Sequence, residues 1–290
     1  MKLRNFTIGL GLLAAFYSAD KGKNLIDGIK QSNFYSAPFS PLSFPYKKET
    51  VVLPIPEVMS LYTSCDQKTY NGKAFVPAKS TDEILNGVKR RRALENIWRM
   101  HFNEKAAKLN LESYTDITTS WTSPVNVSWV TNNYNGLRAR ARGRVELHRA
   151  TDIFTKTGSK IYAPVNGVIV ASSGNWTGSW TRRKGLHDVS GGLGAITGNG
   201  AILFGINNTI YFLMAHLKDV YVRAGDVVLK GDVIGTVWKT GNAMSPRVPG
   251  HLHLAYKKPG TECGIEGVLV SENPYPKLKE TIASQLAQKN

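Results

Sequence analysis

In Gly250-His251-Leu252-His253-Leu254-Ala255-Tyr256, histidine and leucine alternate over four positions. That is the side-chain period of an extended strand, not of a helix. The two imidazoles then share one face and can offer a single groove two nitrogen ligands, or one ligand and one base. Leu252 and Leu254 point the other way, into a core.

The neighbouring sequence has the same grammar. In Ile210 to Leu217, alternation sets Phe212, Met214 and His216 on one face and Tyr211, Leu213 and Ala215 on the other. Pairing of this strand with the His251–His253 strand brings His216 to the same groove. Short β-rich runs at 161–164, 167–170 and 201–204 are separated by Gly or Asn turns. Asn207-Asn208 occupies a hairpin position that calls for tolerance of positive φ. Ala224-Gly225-Asp226-Val227-Val228 is echoed by Lys230-Gly231-Asp232-Val233-Ile234, so two Gly-Asp turns bracket short strands. From Leu137 to Leu147 arginine alternates with small or apolar residues, again as a strand does. The C-terminal half is expected to be mostly antiparallel β, with no long helix before the tail after Pro276.

Upstream, His148-Arg149-Ala150-Thr151-Asp152 sets an imidazole and a carboxylate around a three-residue turn, and both can reach one metal ion. Three N/O ligands with a fourth position left open suit catalytic zinc, and no sulfur is needed. Such an ion lowers the pKa of bound water towards about 7 and polarises a carbonyl, while a nearby imidazole carries the proton. A lone histidine in a strand is usually a packed or surface residue, and His101 and His187 are read that way. The joint occurrence of an HxxxD turn, a hairpin histidine and a downstream HxH is a much stronger signal.

The first half reads differently. Lys2 and Arg4 precede an apolar run from Phe6 to Ala19, and polarity returns at Asp20 and Lys21. Residues 1–19 therefore read as a signal peptide, the run being shorter than the about 20 residues of a spanning helix. Tyr17 stands where a small residue is expected before cleavage, so an uncleaved anchor or a buried helix is the alternative. Pro38, Pro41, Pro45, Pro54 and Pro56 exclude a long helix over 32–57 and suggest an extended linker or strap. Ser80 with Glu83 forms a capping box, and Ile84, Leu85, Val88, Ile97 and Trp98 form an apolar stripe, predicting a helix over 81–108. Its run Lys89-Arg90-Arg91-Arg92 reads as a solvated helix face, with a grip on anionic wall material or lipid as the alternative.

The 290 residues carry 37 Lys+Arg against 21 Asp+Glu, a formal net charge of +16, so the surface attracts polyanions. Zinc-finger, aromatic RNA-binding and helix-turn-helix signatures are all missing, so nucleic acid is not expected. Anionic cell-wall polymer is the better partner for an exported protein. The two cysteines, Cys65 and Cys263, lie one in each half; in an oxidising compartment they can bridge the halves, and two unrelated buried thiols are the other reading.

These motifs resemble the lysostaphin-like (LytM-type) zinc metallo-endopeptidases, which carry an HxxxD motif, a strand ending in Tyr/Met-Ala-His-Leu and a final His-Leu-His. The sequence gives His148–Asp152, then Tyr162-Ala163-Pro164-Val165-Asn166-Gly167, Met214-Ala215-His216-Leu217, the double Gly-Asp turn, Thr240-Gly241-Asn242-Ala243 and Gly250-His251-Leu252-His253. Asn273-Pro274-Tyr275-Pro276 resembles the family's exit from the domain. There are two departures: Ala150 stands where the family often has Gly, and residues 174–190, with Trp176, Trp180, Arg182 and Arg183, look like an insertion. That segment either touches glycan or stem peptide or is a surface loop packed by its own tryptophans.

The resemblance implies a small open antiparallel β-sheet domain over 140–278. The expected fold class is thus mainly β in the C-terminal half with a mixed, partly helical N-terminal region. Residues 20–139 are left as a region of unknown fold, positioning the enzyme on the wall or regulating access to the groove, and 279–290 as a tail. By position His148, Asp152 and His253 would hold one Zn2+ ion, His251 would be the general base and His216 would help stabilise the oxyanion. The implied activity is hydrolysis of peptide bonds in peptidoglycan, in the periplasm, cell wall or medium. The alternative is a non-catalytic wall-binding or amidase-activating regulator that retains its metal site.

Overall fold

The computed structural model describes residues 52–62, 69–70, 73–74, 80–108, 120–139 and 145–288. The expected signal segment, most of the proline-rich stretch and Cys65 lie outside them. Ahead of the main body come helix α1 (Ile55–Tyr62), the short hairpin β1 (Thr69–Tyr70) and β2 (Lys73–Ala74), and helix α2 (Thr81–Lys108). The strands that follow are β3 (Leu137–Ala139), β4 (Val145–Leu147), β5 (Thr151–Phe154), β6 (Lys160–Tyr162), β7 (Gly167–Ser173), β8 (Thr177–Thr181), β9 (Gly185–Ser190) and β10 (Gly200–Gly205). Then come β11 (Ile210–Ala215), β12 (Leu217–Val220), β13 (Val227–Val228), β14 (Val233–Val237), β15 (His251–Glu262), β16 (Ile265–Glu272) and helix α3 (Tyr275–Ala287).

An open antiparallel sheet in the order β13-β7-β10-β11-β15-β16 dominates. β15 is long enough to take β11 along one edge and both β5 and β16 along the other. A smaller antiparallel sheet, β12-β14-β6, packs on one face of the large one. Ile169, Leu203, Phe212, Met214, Leu252 and Leu254 meet Ile161, Leu217, Ile234 and Val237 there, all essentially without solvent contact. Trp121 closes this layer, with its ring edge-on to Phe212 at 4.8 Å and Tyr256 at 5.0 Å. Leu278 seats α3 against the same core.

Helix α2 covers part of the opposite face. Ser80 caps it as the sequence suggests: the Ser80 N–H donates to Glu83 Oε2 at 2.7 Å and the Glu83 N–H to Ser80 Oγ at 3.2 Å. Its buried side is Val88, Arg91, Leu94, Glu95, Trp98, His101 and Phe102, a helical three-four spacing that differs from the apolar stripe read above. Leu85 is exposed. Leu94, Trp98 and Phe102 pack on Val168, Val170, Ile202, Phe204, Tyr211, Leu213 and Ala255. Ala255 shares its face of β15 with His253 and His251, so α2 lies on the face that presents the two histidines.

The basic run is corrected at one residue, Arg91, while Arg90 and Arg92 are exposed. Arg91 is buried; its Nε–H donates to Glu95 Oε1 at 2.8 Å and its guanidinium to Gly267 O at 2.5 Å. The Tyr211 hydroxyl adds a 2.7 Å bond to the same Glu95 oxygen. Burial in a sheet contact requires partners for these charges, and the helix and sheet supply them. Arg90 pairs with Glu57 of α1. The proline-rich stretch is corrected at its end too: α1 takes up 55–57, with Pro56 in the first turn, where a helix needs no N–H.

Turn chemistry accounts for the echo in the sequence. Gly225 and Gly231 have φ of +89° and +94°. In the two turns the Arg223 and Leu229 N–H groups donate to Asp226 and Asp232 carboxylates at 2.7 and 2.8 Å. In the β10–β11 connection the positive φ falls on Thr209, at +50°, and not on the Asn207-Asn208 pair. Residues 174–190 form the β8–β9 hairpin.

Candidate active site

Three segments converge where β15 begins. Asp152 on β5 lies opposite His253, and Ala215 at the end of β11 lies opposite His253 on the other edge. His148 sits in the turn leading into β5. As a result His148 Nε2 is 3.2 Å from His253 Nδ1 and 3.2 Å from Asp152 Oδ1, and His253 Nδ1 is 3.0 Å from Asp152 Oδ1. These atoms form a nearly equilateral triangle. Zinc bonds of about 2.0–2.1 Å at tetrahedral angles set ligand atoms about 3.3 Å apart, so the donor set and its spacing fit such an ion with one position left open.

His216 reaches the site by a route that alternation does not give. Tyr211, Leu213 and Ala215 lie on the His253 face of the sheet, and Phe212 and Met214 in the core behind it. A continued strand would bury His216 in that core. Instead β11 stops at Ala215 and His216 turns left-handed, with φ of +68°. Its backbone is held from both sides, the N–H by Thr197 O at 3.2 Å and the C=O by the Trp238 N–H at 3.0 Å. The ring then lies 5.0 Å from that of His251 and 5.5 Å from that of His253.

Three of the four imidazoles are fixed in the same way. Nδ1 of His148 donates to Asn133 O at 3.0 Å, Nδ1 of His216 to Thr240 O at 2.9 Å and Nδ1 of His251 to Pro249 O at 2.9 Å. A carbonyl oxygen only accepts, so in the neutral rings each Nδ1 carries the proton and each Nε2 keeps a bare lone pair. His251 Nε2 lies 3.7 Å from Asp152 Oδ1. All but the partly exposed His253 are buried.

The charges follow from this packing. Burial pushes the Asp152 carboxyl up, yet the close His148 and His253 imidazoles, with the fields of His253 and His251, outweigh it and hold the group ionised, far below the usual carboxylate range. Burial pushes His216 well down, and His253 and His251 add to the shift. His253 is lowered by burial as well, against the pull of Asp152. The site thus pairs an ionised carboxylate with two imidazoles, His216 and His253, that burial pushes towards the neutral form.

The family signature coincides with this geometry. Residues 146–264 match the family model described as Peptidase family M23. They form an M23 peptidase domain. All five residues singled out above fall within the M23 domain. The L-Ala--D-Glu endopeptidase of Bacillus subtilis is 31% identical over 148 residues, covering 49% of this chain and 37% of that protein. The peptidoglycan DD-endopeptidase ShyC of Vibrio cholerae is 28% identical over 135 residues, 46% of this chain and 26% of that protein. The chain therefore spans well under half the length of these relatives. Among solved structures, the catalytic domain of the antimicrobial peptidase lysostaphin from Staphylococcus simulans aligns with 52% of this chain and 92% of its own, at 21% identity and a TM-score of 0.37.

Two residues that touch the M23 site are absent from the sequence reading. Arg138 of β3 makes an ion pair with Asp152 Oδ2, and Asn133 bonds to both His148 and Asp152. The only signals were the alternating arginines, read as strand grammar, and the turn-forming Asn133-Tyr134-Asn135-Gly136. His101 and His187 lie apart from the site: His101 Nε2 donates to Gly225 O at 2.8 Å and His187 Nδ1 lies 2.8 Å from Asp188 Oδ2. Ala150, at the position where the family often has glycine, is buried in the hydrophobic cluster that α2 covers.

Proposed function

We propose that this chain is a zinc-dependent endopeptidase that hydrolyses peptide bonds in the stem peptides or cross-bridges of peptidoglycan. The observation that carries the reading is the triangle of His148 Nε2, Asp152 Oδ1 and His253 Nδ1. It has the size and donor chemistry of a three-ligand catalytic zinc site, beside two further imidazoles with unshared lone pairs. Zinc bound there supplies Lewis acidity towards the scissile carbonyl and makes water nucleophilic near neutral pH.

The chain's own groups supply the proton traffic. His251, held by Pro249 O, turns Nε2 to the groove, takes the proton of the attacking water and returns it to the leaving amine as the C–N bond breaks. His216 has the same tautomer and accepts when neutral. It can donate to the developing oxyanion only when Nε2 also carries a proton, a form that its burial disfavours in the resting site. Peptidoglycan is supported as the substrate by the relatives, both named as endopeptidases and one as a peptidoglycan enzyme. The +16 net charge suits an anionic wall polymer. Cys263 is disulfide-bonded, which agrees with export to an oxidising compartment. Among the described residues, no helix is long and apolar enough to cross a membrane.

The test is digestion of purified sacculi with and without chelator, followed by mass spectrometry of the released fragments. New peptide ends that vanish with chelator and return with zinc are expected, and they name the bond. Intact sacculi with one zinc bound per chain would overturn the enzymatic reading in favour of a regulator.

A further inference from the structure

β5 is an outer strand at Asp152, and its free edge ought to face solvent. Asp152 lies opposite His253, yet both of its backbone polar groups point away from β15, to the side chain of Asn133. The Asp152 N–H donates to Asn133 Oδ1 at 2.9 Å, and Asn133 Nδ2 donates to Asp152 O at 2.9 Å. A carboxamide sets an N–H donor and its C=O acceptor side by side in one plane, as the N–H and C=O of one strand residue lie along one edge, so Asn133 acts as a single residue of a missing neighbouring strand.

The same residue reaches the first histidine. Its backbone carbonyl accepts the His148 Nδ1–H, which leaves Nε2 as the lone-pair nitrogen facing Asp152 and His253. The chain next to Asn133 holds the His148 backbone, through the Asn135 N–H to His148 O at 2.8 Å and the His148 N–H to Gly136 O at 3.0 Å. Arg138 completes the arrangement from the carboxylate side. It occupies Oδ2 of Asp152 and leaves Oδ1 to face the two imidazoles. Neither Asn133 nor Arg138 lies within the matched family segment, which begins at residue 146.

We propose that Asn133 and Arg138 are positioning residues for the metal centre, so that the segment 133–138 is part of the working site. This rests on the zinc reading given above. Asn133 fixes the position of Asp152 and the tautomer of His148, and Arg138 restricts Asp152 to one coordinating oxygen and balances its charge. Groups that orient metal ligands in this way typically contribute 10–100-fold in metal affinity.

The test uses the full chain and metal alone. Zinc affinity is measured by competition with a chromogenic chelator, and cobalt absorption spectra report ligand geometry. Asn133→Ala and Arg138→Ala are expected to bind zinc about 10–100-fold more weakly than wild type, with altered cobalt bands, and Arg138→Lys to recover part of the loss. Arg138 is partly exposed and spares the backbone pairing, so its variants keep the test decisive if Asn133→Ala loses the native circular-dichroism spectrum. Wild-type affinity and unchanged cobalt bands in folded Arg138→Ala and Asn133→Ala would overturn the proposal while the zinc reading stands. Wild-type protein that holds zinc no better than His148→Ala would remove the zinc reading, and the proposal with it.

Discussion

His216 sets a left-handed backbone against the placement of its side chain. A non-glycine residue in the left-handed region costs on the order of 1 kcal/mol, and the return is an imidazole swung from the core face to the His251 ring. His216→Gly is accordingly expected to be more thermally stable than His216→Ala by about 1 kcal/mol, as both lack the ring and only glycine is at ease at φ +68°. Equal stabilities in thermal melts would show that the conformation carries no such cost. His251→Ala is expected to keep one zinc per chain and lose about 10²–10⁴-fold in kcat, whereas His148→Ala loses zinc and activity together. Metal analysis alongside turnover separates the two. At this scale the sequence went far with His148, Asp152, His251 and His253, whose spacing is itself the geometry. It misplaced the route to His216, because a period of two assumes an unbroken strand. It missed Asn133, whose part depends on a carboxamide meeting a strand edge 19 residues along the chain.

Among the elements, α2 shows where pattern reading stops. Its Ser80–Glu83 cap was legible because the signal is local; its inner face was not, because Arg91 and Glu95 find their sheet partners Gly267 and Tyr211 at 176 and 116 residues along the chain. Trp98 packs at 5.3 Å from Phe204 and 6.4 Å from Tyr211, and it has almost no solvent contact. Trp98→Ala should cost about 3–5 kcal/mol in denaturant unfolding. Tyr211 gives the same contact a pH signature. Burial, and then the Glu95 charge, raise its hydroxyl well above 10.0. Below pH 10 the phenol is neutral in folded and unfolded chains alike and its contribution is complete. Above it the unfolded chain ionises first, so stability is lost as pH rises. Unfolding at pH 8 and pH 11 should therefore show Tyr211→Phe gaining on wild type at the higher pH; a constant difference would contradict the assigned environment.

For the molecule as a whole, the β-rich C-terminal half was legible from alternation and turn residues, since an antiparallel sheet with one face on a core writes its period into the chain. The packing of the small sheet and α2 on opposite faces was not, because both faces of the large sheet are apolar and either could be the inner one. Ion binding should report on this whole assembly. If zinc binds only the folded chain, zinc at 100 times its dissociation constant adds about 2.7 kcal/mol, so the melting temperature should rise with zinc in wild type and stay fixed in His148→Ala. The backbone carbonyls that hold the imidazoles have one more consequence. Ring N–H protons held on carbonyls inside a protein exchange slowly with water, and His148, His216 and His251 each have one, as does the remote His101. These protons make the groove visible to proton magnetic resonance at low field without any substrate: three resonances should shift as metal is added, while the fourth, from His101, stays in place as an internal reference.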